Sequence, residues 1–138
     1  MKRTNTTRTA IAMGATVFLA IAVPAGAALW PAAPQKTVDL ARFDAITRIG
    51  AEALPTDPYC DTVDMIDVSL SEDFAERITL SALNPDSTRL DFWSSDLMGT
   101  WTVTYTRADG VMCVVGSGTG WRAGDAPARF MEQAGVAL

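Results

Sequence analysis

The sequence predicts an α+β domain, a small antiparallel four-stranded meander packed against one or two helices and tied by one disulfide. Three observations lead there. The apolar period is about 3.6 residues before Arg77 and 2 after it. Short turn-forming segments separate the period-2 runs. Two cysteines, Cys60 and Cys113, lie one on each side of that change.

The helical half starts where Thr37 or Asp39 can cap a helix whose apolar face is Leu40, Phe43, Ile46 and Ile49. Pro55 and Pro58 stop it, so the predicted helix covers 39–53. Asp61, followed three residues later by Asp64, resembles a cap for a second helix. Its apolar stripe is Val63, Ile66 and Leu70, returning at Phe74. Strands are predicted at 78–83, 88–93, 100–106 and 111–116. Between them lie Asn84-Pro85-Asp86-Ser87, the segment from Ser94 to Gly99, and Ala108-Asp109-Gly110. A four-stranded sheet with a bare face buries too little apolar area alone, so helices must cover it. A last short helix runs from Asp125 as cap, through Pro127 in the first turn, to Ala134 before Gly135.

The N-terminus reads as an address. Lys2, Arg3 and Arg8 precede an uncharged apolar run, Pro24 breaks it, and Ala25-Gly26-Ala27 offers a small-x-small cleavage site. Residues 1–27 are therefore a predicted signal peptide and 28–37 a Pro/Ala-rich tether. The α+β domain covers 38–124, and 125–138 form a C-terminal tail with the short helix. The expected location is periplasmic or secreted. The alternative is a single inner-membrane anchor, because residues 9–30 are long enough to span a bilayer if retained, with the domain still outside.

The whole chain carries a net charge of −5. Loss of Lys2, Arg3 and Arg8 with the signal leaves eight basic residues against 16 acidic ones, a net charge of −8. Such a surface repels phosphate backbones and anionic lipids, which excludes nucleic acid as a natural partner. A charged partner, if there is one, is a basic protein or envelope component. The paired cysteine count in an oxidising compartment reads as a disulfide; two free thiols are the competing reading.

The chain has no histidine. That removes the commonest general base and the usual zinc ligand together. No cofactor or metal motif is present. Gly116-Ser117-Gly118-Thr119-Gly120 is followed by no helix and so does not cradle phosphate; it reads as a flexible strand exit. Eight acids and no Lys or Arg occupy the stretch from Glu52 to Glu76. Asp64 and Asp67 are helical neighbours with Asp61 one turn earlier, which makes a solvated acidic face, a docking face for a basic partner, or a divalent-cation site, although no EF-hand spacing is present. Thr100, Thr102, Thr104 and Thr106 alternate with Trp101, Val103 and Tyr105. The threonines read as a wet sheet face that, flanked by Trp93, could dock a glycan or polypeptide. The candidate partner surface is thus Asp61, Asp64, Asp67, Trp93, Thr100, Thr102 and Thr104.

Cys60, Phe74-Ala75-Glu76, Gly99-Thr100-Trp101-Thr102-Val103 and Asp109-Gly110-x-x-Cys113-x-Val115 with Gly118-x-x-Trp121 form a spaced set. Together they resemble a family of small exported bacterial proteins with the pattern C…[YF]-[GA]-E…G-[TS]-W-T-[IV]…D-G-x-x-C-x-V…G-x-x-W. The resemblance spans residues 60–121. It implies export and paired cysteines and transfers no catalytic residue. The expected function is a non-enzymatic exported accessory or binding protein. Alternatives are a subunit anchored in an envelope complex by an uncleaved N-terminal helix, a carboxylate-based glycan-acting enzyme, and a lysozyme-inhibitor-like protein. Mass spectrometry of the protein from whole cells should find a species beginning at Ala28; a predominant species retaining residues 1–27 would point to the anchor.

Overall fold

The computed structural model describes residues 37–136. The predicted signal peptide and all of the tether but Thr37 lie outside these residues. Among the described residues no helix is long and apolar enough to cross a membrane.

Five antiparallel strands form one sheet in the order β1-β5-β4-β3-β2. They are β1 (Cys60–Thr62), β2 (Arg77–Leu83), β3 (Arg89–Ser95), β4 (Thr100–Thr106) and β5 (Val111–Thr119). The four expected strands are all present as a meander. β1 is the addition: three residues are too few to show an alternating pattern, and it is held from outside itself. Its register places Cys60 opposite Cys113, and the two form the disulfide.

The alternation along β4 sorts the protein into two layers. Trp101, Val103 and Tyr105 enter the larger core with Leu90, Phe92, Phe130 and Met131. Phe92, Trp101, Trp121 and Phe130 form an aromatic cluster with ring centroids 5.3–6.3 Å apart. Phe130 and Met131 come from α3 (Pro127–Gln133). Pro127 opens that helix as expected, but Ala126 occupies the cap position, and Asp125 instead accepts from the Arg122 amide and pairs with Arg129.

The predicted helix at 39–53 is not continuous. Only α1 (Ala41–Asp44) and one 3₁₀ turn, Gly50–Glu52, form. The Arg107 guanidinium takes the carbonyls of Ile46 (2.7 Å) and Phe43 (3.4 Å), acceptors a continuing helix would need for itself. Gly50 then sits at φ 55°, and a Cβ there would lie 2.9 Å from the Asp61 carboxylate. The apolar pattern still holds its meaning, because Leu40, Phe43, Ile46 and Ile49 all pack on the larger core.

The glycine-rich stretch is not a flexible exit. β5 continues through Gly118, and a Cβ on Gly116 or Gly118 would stand 2.9 Å from Ala134 of the C-terminal segment or from the Trp101 ring. The glycines let a helix end and an aromatic ring lie directly on the strand.

The disulfide joins residues 53 apart. Closing a loop of that length restricts the unfolded chain by about 4 kcal/mol. Cys113→Ser should therefore lower unfolding free energy in denaturant titrations by an amount of that order, and reductant should reproduce the loss in the native protein. Equal midpoints with and without reductant would show that the bridge is not structural.

Candidate functional site

The opposite face of the sheet carries the threonine row, and it is not wet. Thr104 is fully buried, and Thr102 and Thr106 are nearly so. α2 (Val63–Val68) and a π-helical turn (Ser69–Asp73) lie over it, contributing Ile66 and Leu70 to a second, smaller core with Trp93 and Met112. Thr62 caps α2, its Oγ1 accepting from the Met65 amide at 3.4 Å, in place of the expected Asp61. Thr104 has a partner in this layer, while Thr100 Oγ1 and Thr106 Oγ1 are buried without one. Trp93 Nε1 donates to Thr104 Oγ1 at 2.9 Å.

The sequence-derived surface is thereby split. Asp64 and Asp67 are exposed on α2, and Asp61 is half-buried in β1. Trp93, at 3% exposure, and Thr104 belong to the interior and offer no docking surface. Thr100 and Thr102 remain, and they line a cleft.

That cleft, of about 560 Å³, opens between the helical cover and the β4–β5 end of the sheet. Ile66, Ser69 and Leu70 form the cover side. Thr100, Thr102, Val114, Ser117 and Thr119 come from the sheet side, and Tyr59 and Phe74 from the flanking segments. Tyr59 and Phe74 are half-exposed, so the rim is aromatic and open to solvent.

Glu76 stands apart from every other acid in the Glu52–Glu76 run. It lines the cleft yet is only 1% exposed. The chain delivers it there by a local distortion. After the π-helical turn Ala75 takes a left-handed conformation (φ 51°), and the Glu76 amide donates back to the Leu70 carbonyl at 2.8 Å. A non-glycine residue in that region costs on the order of 1 kcal/mol, which the surrounding packing must offset. Glu76 Oε2 and Thr100 Oγ1 are both buried without a hydrogen-bond partner.

Removal from water raises the Glu76 pKa above its ordinary 4.5. The nearby hydroxyls of Thr100 and Thr102 oppose that rise in part, although Thr100 does not reach hydrogen-bond geometry. The sequence places Glu76 among solvated acids, and nothing in its local spacing sets it apart from them.

A second, smaller hollow lies on the other side of Glu76, lined also by Ser71, Ala75, Arg77, Asp96 and Leu97. Asp96 Oδ1 accepts from Trp121 Nε1 at 2.8 Å. Among the described residues no group of His, Cys, Asp and Glu is arranged to hold a metal ion. Compared with protein-family models, curated proteins and solved structures, the chain shows no significant match.

The raised pKa has a definite sign in stability. In the unfolded chain the carboxyl titrates near 4.5. Between that value and the higher folded one, the unfolded state holds fewer protons, so stability falls as pH rises through the window and levels off above it. Glu76→Gln should abolish this component. The stability difference between variant and wild type, measured by thermal melts, should grow in the variant's favour from pH 4 upward. A difference independent of pH would mean that the carboxyl is not desolvated.

Proposed function

We propose that this domain is a non-enzymatic exported binding protein, acting in the periplasm or outside the cell, whose ligand occupies the cleft under α2. One observation carries the reading: an apolar-walled cleft of about 560 Å³ ends on a single buried carboxyl with an unpartnered oxygen. Small-molecule sites are typically concave, mostly apolar, roughly 300–1,000 Å³ in volume, and equipped with few polar groups that orient the ligand. The disulfide is consistent with an oxidising compartment. The anchored alternative rests on residues 9–30 and draws no support from the domain. A lysozyme-inhibitor-like role would instead use the exposed Asp64 and Asp67 against a basic protein.

The glycan-acting alternative draws support from the second hollow, where Glu76 and Asp96 share the lining. Two carboxyls facing a sugar are the usual equipment for glycoside hydrolysis. Asp96 is engaged by Trp121, however, and the larger cleft has Glu76 as its one carboxylate. The binding reading is therefore preferred.

A neutral apolar dye such as N-phenylnaphthylamine tests it. One dye should bind per chain with a rise in fluorescence. Phe74→Asp, at the half-exposed rim, should weaken binding by about tenfold, equivalent to ~1.4 kcal/mol, while leaving the melting temperature nearly unchanged. Absence of dye binding, or binding indifferent to Phe74, would remove the cleft as the site. Release of reducing ends from peptidoglycan, lost in Asp96→Asn, would establish the enzyme instead.

A further inference from the structure

We propose that the cleft takes an amphipathic monocation, an amine carried on an apolar body, with its ammonium group against Glu76. This rests on the cleft being a binding site and adds the chemistry of what it binds.

Three features of the site converge on that class. Glu76 Oε2 is buried with no donor, and no cationic side chain pairs with the carboxylate among the described residues. Protonation would remove the buried charge but still leave Oε2 without a protein partner among the described residues. The walls that lead to it are apolar and aromatic: Ile66, Leu70, Tyr59 and Phe74. These suit a hydrocarbon or aryl body and give a cationic centre π-faces to approach near the rim.

The local charge has one sign. From Glu52 to Glu76 the chain carries eight acids and no Lys or Arg, and α2 and the π-helical turn place Asp64, Asp67, Glu72 and Asp73 on the outside of the cover. The groups around Glu76 do not neutralise it. Arg77 and Asp96 face the smaller hollow behind it, Tyr59 faces the cleft, and no ion pair joins Glu76 to Arg77 among the described residues. An anionic ligand would be repelled twice, by the surface field and by the buried carboxylate. A neutral one can at most donate a hydrogen bond and leaves the carboxylate's charge uncompensated. An ammonium group completes the carboxylate with a charge-assisted hydrogen bond.

The test compares three probes of one shape at neutral pH on the purified exported protein: phenylbutylamine, phenylbutanol and phenylbutyrate, by calorimetric titration. The amine should bind at least about tenfold more tightly than the alcohol, and the carboxylate most weakly. Glu76→Gln should remove the amine's advantage over the alcohol. A cooperative thermal melt and an unchanged near-UV circular dichroism spectrum certify that the variant is folded. Asp64→Asn with Asp67→Asn should keep most of the amine preference, since those carboxylates lie outside the cleft and act through solvent.

Equal binding of amine and alcohol to the wild type overturns the proposal and leaves the cleft reading standing, as does a preference lost in the Asp64/Asp67 variant but kept in Glu76→Gln. Failure of all three probes and of the neutral dye overturns both.

Discussion

Everything on the threonine side of the sheet depends on a strand of three residues. β1 pairs only with β5, through Cys60–Thr62 against Val111–Cys113, and its main covalent security is the bond between Cys60 and Cys113. α2 begins at the very next residue, so the bridge sets where the helical cover leaves the sheet edge. From that point Ile66 and Leu70 reach the small core, and the π-helical turn and left-handed Ala75 lower Glu76 into the cleft. Freed from β5, β1 would keep few hydrogen bonds of its own, and the cover would lose its origin.

The two layers differ in how they are stabilised. One side of β4 meets a large aromatic cluster fed by α3 and the segment around Phe43, where shape and area suffice. The other side is polar in composition yet buried, and hydrogen bonds between its side chains offset part of that cost. Trp93 donates to Thr104, and the fully buried Asp91 accepts from Ser81 at 2.5 Å and from Arg89 at 2.7 Å. Three buried side-chain oxygens among the described residues stay unpartnered, Glu76 Oε2, Thr100 Oγ1 and Thr106 Oγ1, and the first two residues line the same cleft. Exceptions of this kind cost stability and collect at sites that work on something else.

Much of the architecture was legible. The meander, the apolar stripes of both helical regions and the C-terminal helix follow from periodicity and turn chemistry, and β4 begins and ends where its alternation does. The apolar period over 39–53 does not become one helix because Phe43 and Ile46 give their carbonyls to Arg107, some sixty residues away. The glycines of β5 looked flexible because their neighbours, Trp101 and Ala134, are not adjacent in sequence. The site was less legible still. Thr100 and Thr102 were singled out for an exposed face and turn out to line a cleft, while Glu76 was read as one more solvated acid.

The sequence by itself determined the local matters: which residues alternate, where turns fall, that eight acids run from Glu52 to Glu76 without a cation, and that no histidine is available for chemistry. These depend on residue type and near neighbours alone. Only the tertiary structure decided which face of the sheet each helix covers and which acid of the Glu52–Glu76 run loses its water. Alternation assigns residues to two faces without saying which is wet, because solvation is a property of what lies opposite. For Glu76 that is a helical cover positioned by a cysteine 53 residues from its partner.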